Sequence, residues 1–287
     1  MKLFNKQLPV LVAFGIAFAV VGAAGMWLYQ DTISRFFRGN NEVTQQQEQK
    51  PQNIINTLPS KRIAVIEYHV VRNISSDQKS VYDDVTVPTD AFFYQMEYLA
   101  NNGFTTLTFQ DLAYHLEKNI PLPKKPVIVT FNDGHVTVLN NAQSTLKKFN
   151  QKAVVFMVTN YIGQSGYLSE TAITDLIRAG NIEIASHTVS KVKLADVPRE
   201  DMEKELRLSK LALETKFPIK VTTFAYPFDN YSDGVARFAQ MTGYSFGVLT
   251  DEKLAVFPPE LPMKVSRMRV TKEMSLNDFG AMLETLK

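Results

Sequence analysis

The 287-residue chain predicts an α/β protein in which a parallel sheet is flanked by helices, open or closed into a barrel. Three observations carry that expectation. Short β-branched apolar runs alternate with amphipathic stretches across residues 61–287, the runs are apolar at consecutive positions, and polar residues follow several of them abruptly. Consecutive apolar positions imply burial on both faces, as in parallel strands covered by helices.

The expected strands are 63–70 (IAVIEYHV), 104–109 (FTTLTF), 126–131 (PVIVTF), 153–158 (AVVFMV), 182–186 (IEIAS), 222–228 (TTFAYPF), 244–250 (YSFGVLT) and 264–270 (KVSRMRV). Seven or eight strands are enough to close a barrel. Helices are expected over 90–101, 110–118, 137–149, 169–179, 199–216, 231–242 and 275–286, several opening on a capping residue: Thr89, Ser169, Asp233 or Ser275. In the charged stretch before Phe217, Leu206, Leu208, Leu211 and Leu213 are expected to turn partly inward. His115 reads as an ordinary helix-face residue.

Ahead of this region, residues 8–29 form an uncharged run of 22 residues. At about 1.5 Å per residue it spans the roughly 30 Å hydrocarbon layer, so it reads as a membrane helix. Gly22 to Gly25 suit a cleaved secretory signal instead, but the run is longer than the roughly 7 to 15 apolar residues of a signal peptide. Lys2 and Lys6 favour an amino terminus inside, with the rest beyond the cytoplasm. The expected organisation is a cytoplasmic stub at 1–7, an anchor at 8–29, a Gln/Asn-rich flexible linker at 30–60 and a globular domain at 61–287.

With Lys+Arg 31 against Asp+Glu 29, the chain lacks the basic excess of a nucleic-acid binder. It has 45% apolar and 11% aromatic residues, far from the composition of disorder. The absence of cysteine removes disulfides, thiol nucleophiles and a lipidated cysteine, so any metal site must use His, Asp or Glu.

In parallel α/β folds functional residues gather at the carboxyl ends of strands. Tyr68-His69, Asn132-Asp133-Gly134-His135, Ser186-His187-Thr188 and Pro227-Phe228-Asp229 all occupy such places. Each alone could cap a helix or satisfy a turn. As a set, an aspartate with several imidazoles makes a metal or acid/base site.

These residues resemble a known family, the polysaccharide deacetylases with a NodB homology domain (carbohydrate esterase family 4), over roughly residues 61–287. Thr130 to Gly134 resembles its T-F-D-D-G motif, and Ser186 to Lys191 resembles S-H-S/T-x-x-H. Phe224 to Asp229 is similar to F-A-Y-P-Y/F-G, and Arg267 to Val270 to the late R-I/V-x-V element. Glu67-Tyr68-His69 and the phrase QMEYLANNGF resemble the branch acting on poly-N-acetylglucosamine. The resemblance implies a distorted (β/α)7 barrel. It also implies a base at Asn132, ligands for zinc, nickel or cobalt at Asp133, His187 and Lys191, and an oxyanion donor in the backbone N–H of Phe228.

Two of those positions depart from the family. An amide has no useful basicity near neutral pH, and loss of a general base costs on the order of 10² to 10⁴ in rate. An ammonium has no lone pair for a metal, so Lys191 could instead pair with Asp133 as a built-in cation. Alternatively Lys191 points to solvent and His135 or His69 completes a rearranged metal site. Tyr226, Phe228 and Tyr231 offer faces for sugar stacking or belong to the core; Asp229 replaces the usual glycine; Arg267 pairs with Asp133 or Glu67 or is a surface charge. These residues support two functions. One is a membrane-anchored, catalytically impaired protein that binds an N-acetylglucosamine-type glycan or supports an envelope complex through a protein partner at the bacterial cell membrane. The other is a working metal-dependent N-deacetylase with a replacement base among His135, His69 and Asp229.

Overall fold

The computed structural model describes residues 58–73 and 83–284. The expected stub, anchor and most of the linker lie outside the described residues. Contacts divide the chain into Met1–Ile55 and Asn56–Lys287, and the described residues all belong to the second unit.

In chain order the strands are β1 (Lys61–Tyr68), β2 (Val70–Val71), β3 (Thr86–Val87), β4 (Thr105–Thr106), β5 (Pro126–Phe131), β6 (Ala153–Met157), β7 (Ile182–Ser186), β8 (Thr223–Ala225), β9 (Phe246–Thr250), β10 (Ala255–Phe257) and β11 (Val265–Arg269). The helices are α1 (Thr89–Asn101), α2 (Phe109–Glu117), α3 (Gln143–Lys148), α4 (Glu170–Ala179), α5 (Arg199–Lys216), α6 (Asp233–Met241) and α7 (Leu276–Glu284). Parallel pairing runs β1, β5, β6, β7, β8, β9, β11 and back to β1, closing a seven-stranded barrel with helices outside it.

Two apolar layers hold it. Ile63, Val65, Ile128, Val154, Phe156, Ala185, Ala225, Phe246, Val248 and Val265 form a cluster inside the barrel. The alternate residues Ala64, Ile66, Val127, Val129, Val155 and Ile184 pack outward against Phe92, Met96, Ile173, Leu206, Val235 and Phe279 of the helices. Burial on both sides is why these strands read as continuous apolar runs. Helix α2 closes the amino-terminal end of the barrel, its Phe109 ring 5.6 Å from Phe246 and 6.2 Å from Phe156.

Several expectations are corrected. The strand expected over 104–109 shrinks to β4, because Thr108 already caps α2 through a reciprocal box with Asp111. β8 ends at Ala225, where the chain turns at Pro227. The antiparallel β10 on the edge of β1 was not foreseen; three residues are too few for a periodic signal. The turn before α3 is a π-helix at Val138–Ala142. Ser169 caps α4 and Ser275 receives the Asp278 N–H, but Ser232 caps α6 in place of Asp233. Thr89 is the first helical residue of α1, after Pro88. Helix α5 buries Met202, Leu206, Ser209 and Leu213, leaving Leu208 and Leu211 exposed, since only the first four share one stripe.

Candidate functional site

Side chains alternate along a strand, so the inward set of the barrel can be followed up to its carboxyl-terminal mouth. Two positions beyond Val65, Ile128, Ala185, Val248 and Val265 stand Glu67, Thr130, His187, Thr250 and Arg267. A further step reaches His69, Asn132 and Arg269. The mouth is polar because the same periodicity that fills the barrel with Val and Ile ends on charged and hydrogen-bonding residues. Asp133 breaks the alternation by adopting φ 67°, which turns its carboxylate back to the mouth.

Asp133 is 1% exposed. The Lys191 ammonium lies 2.7 Å from its Oδ1 and donates to Oδ2 at 2.8 Å. His187 Nδ1 donates to the Ala225 carbonyl at 3.0 Å, so the lone pair of the neutral ring, on Nε2, faces Asp133 Oδ1 at 3.6 Å. Burial pushes His187 down to about 4, and the nearby ammonium adds to this, which keeps the ring neutral. Burial alone would raise Asp133, but the charge around it, with the Lys191 ammonium on both its oxygens, holds its carboxyl below the ordinary value.

A second group sits beside the first. Arg267 is 1% exposed; its Nη2 lies 3.1 Å from Glu67 Oε2 and its Nη1 donates to Asn132 Oδ1 at 2.8 Å. Asn132 Nδ2 lies 3.4 Å from His69 Nε2. Glu67 also takes Arg269 Nε at 3.0 Å and the Thr250 hydroxyl. Burial would raise Glu67, yet Arg267, His69, Arg269 and Thr250 together hold it at about 2. Asp229 accepts the Thr250 N–H at 2.7 Å, and burial raises its carboxyl.

Above these groups is a cavity of about 210 Å³, lined by His69, Asn132, His187, Lys191, Tyr226, Phe228, Asp229, Arg269 and Val85. Phe228 stands 60% exposed at its rim with the Lys191 ammonium 5.6 Å from its ring. A larger groove of about 500 Å³ between α5 and α6 has none of these catalytic-type groups.

Nine of the ten predicted site residues meet at this mouth. His135 does not line the cavity: its Nδ1 meets Thr137 and its ring packs edge-on to Tyr167 at 5.8 Å. Tyr226 forms a wall, but it is 1% exposed with its hydroxyl on the Met263 carbonyl, so it is no stacking platform. Tyr231 lines a different depression under Lys264. Arg267 pairs with Glu67 and is not a surface charge. Residues not singled out from sequence are Thr250 and Arg269, which the alternation identifies, and Glu205, which only the fold brings to the Lys191 loop.

The donors do not fit a divalent cation. Of the three positions that the resemblance assigns to a metal, Asp133 and His187 could bind one; the third is an ammonium already in contact with both Asp133 oxygens. No cluster of three His, Asp or Glu side chains suited to a metal occurs among the described residues.

Known proteins place this architecture. Residues 119–247 match the family model described as polysaccharide deacetylase. YxkH of Bacillus subtilis, provisionally assigned to that family, is 29% identical over 233 residues, covering 81% of this chain and 80% of its own. The poly-β-1,6-N-acetyl-D-glucosamine N-deacetylase of Staphylococcus epidermidis is 25% identical over 230 residues, 72% of this chain and 78% of its own. Among solved structures, BC0361, a polysaccharide deacetylase from Bacillus cereus, superposes with a TM-score of 0.69 at 26% identity, over 78% of this chain and 69% of that one. IcaB from Ammonifex degensii shares the fold with a TM-score of 0.66 at 23% identity, over 78% and 97%. With a closed seven-stranded parallel barrel, residues 119–247 matched by that model and these relatives at 25–29% identity, the chain is similar to the polysaccharide deacetylases and shares their fold.

Proposed function

We propose that this protein binds an N-acetylglucosamine-type glycan at the mouth of its barrel and does not hydrolyse it by the metal-dependent route. The observation that carries this reading is the Lys191 ammonium seated on both oxygens of Asp133. The amide of Asn132 supports it further, since its oxygen is occupied by Arg267 and is not basic. The glycan class rests on the relative named as acting on poly-β-1,6-N-acetyl-D-glucosamine and on Phe228, an exposed aromatic face beside the cavity. Residues 8–29 would anchor the chain in a bacterial cell membrane with the barrel outside the cytoplasm, where a glycan or an envelope protein partner is met. Among the described residues no helix is long and apolar enough to cross a membrane.

The test uses the purified full chain, loaded with zinc, nickel or cobalt, desalted and analysed for bound metal, then assayed for acetate release and calorimetric binding with β-1,6-linked N-acetylglucosamine oligomers. The expected result is no retained metal, no acetate, and saturable binding that Phe228→Ala weakens by about tenfold. Stoichiometric metal together with acetate release would establish a working deacetylase instead.

A further inference from the structure

The charged groups at the mouth balance without an ion from solution. Three cationic side chains, Lys191, Arg267 and Arg269, face three carboxylates, Asp133, Glu67 and Asp229, while the exposed Glu252 takes the Arg269 backbone N–H from outside the cavity.

Asn132 is built into this arrangement by a closed ring of polar contacts. A guanidinium only donates, so Arg267 Nη1, at 2.8 Å, fixes the amide oxygen of Asn132 toward itself and the Nδ2 toward His69 Nε2 at 3.4 Å. His69 Nδ1 lies 3.3 Å from Glu67 Oε1, and Arg267 Nη2 lies 3.1 Å from Glu67 Oε2, which closes the ring. An aspartate at 132 would set acceptor against acceptor at His69 and add a fourth carboxylate. A histidine at 191 would remove a cation from Asp133. Each change lowers the local charge by one, and together they lower it by the charge of one divalent cation.

We infer that Asn132 and Lys191 act as one charge-matched unit, supplying from the chain itself the neutrality that a divalent cation would otherwise bring to this cavity. The inference rests on the proposed absence of a resident metal and goes beyond it: the two residues are coupled, so neither a carboxylate at 132 nor a neutral side chain at 191 can be introduced alone without leaving buried charge uncompensated.

A double-mutant cycle on the full chain tests the coupling, with thermal unfolding midpoint and calorimetric zinc binding read for the parent, Asn132→Asp, Lys191→His and the double variant. Asn132→Asp is expected to lower the midpoint and take up no zinc in the parent background. The same substitution is expected to tighten zinc binding by about tenfold or more when Lys191→His is present, because the added carboxylate then faces a dication. An effect of Asn132→Asp that is equal in both backgrounds would overturn the inference. If the double variant does not fold, the single changes decide: Asn132→Asp and Lys191→Met are each expected to lower the midpoint, and a parent-like midpoint in either overturns it. Zinc retained by the parent chain would instead defeat the proposed function, whereas additivity with a metal-free parent defeats the coupling alone.

Discussion

Two carboxylates inside the same barrel are driven in opposite directions by their company. Glu67, at the mouth among two arginines, is held at about 2, so its contribution to stability is present above its ordinary value of 4.5 and is lost as pH falls toward 2. Glu183 points inward at the other end, where its Oε2 accepts the Gln110 N–H at 2.9 Å. Burial raises it to about 7; the N–H groups opening α2 and the Thr108 hydroxyl oppose this, while Asp111 adds to it. The sign is therefore reversed: between 4.5 and 7 the folded chain binds more proton than the unfolded one, and stability falls as pH rises through that window. The loss should approach about 3 kcal/mol. Glu183→Gln keeps an acceptor for the Gln110 N–H and should flatten this slope, as urea unfolding at acid and mildly alkaline pH would show. Parallel pH profiles for parent and variant would contradict the assignment.

At the scale of elements, the aim of Lys191 depends on a helix it does not belong to. The loop after β7 takes two left-handed residues, Thr188 at φ 70° and Lys191 at φ 60°, a conformation that costs a non-glycine residue about 1 kcal/mol or more. Glu205 of α5 offsets this by accepting the N–H groups of Val189 at 2.8 Å and Ser190 at 2.9 Å, together with the Ser190 hydroxyl. Thr188 Oγ1 accepts the Lys191 N–H at 3.1 Å and completes the turn. Glu205→Ala is expected to cost about 2 to 3 kcal/mol in denaturant unfolding and to weaken glycan binding, because charge-assisted bonds to backbone N–H groups are lost and the loop loosens. Glu205→Gln should lie between the two. A parent-like midpoint for the alanine variant would mean that the loop holds itself.

For the whole molecule, closure of the barrel decides which charges meet. β1 lies along β5 from Ala64 to Tyr68, while the other edge of β1 is shared by β10 and β11. The far edge of β5 is likewise divided between β4 and β6. The two short strands fill the places where the barrel splays, which distorts it without opening it. Among the described residues, both apolar clusters draw their buried members from 58–283. The fragment Asn56–Lys287 is therefore expected to unfold in one cooperative transition at the midpoint of the full chain, measured by circular dichroism. A broad or two-step melt would show that the amino-terminal residues are needed for the fold.

The seven strands of the closed barrel and the seven α-helices among the described residues were legible as runs and periodicities, because burial on one or both faces is imposed locally, residue by residue. Most of the mouth was legible for the same reason, through polar residues placed where apolar runs end. Which groups touch was not. Glu67 and Arg269 are 202 positions apart, and Asp133 and Lys191 are 58 apart; nothing in either neighbourhood specifies the partner. Tyr226 and His135 show the same limit, one drawn into the core and the other turned aside by contacts made far along the chain. The sequence alone determined that an amide and an amine occupy positions 132 and 191. Only the tertiary structure decided that the amine meets a buried carboxylate and the amide closes a ring, because those contacts exist only once β1 has joined β11 and the loop after β7 has folded over the mouth.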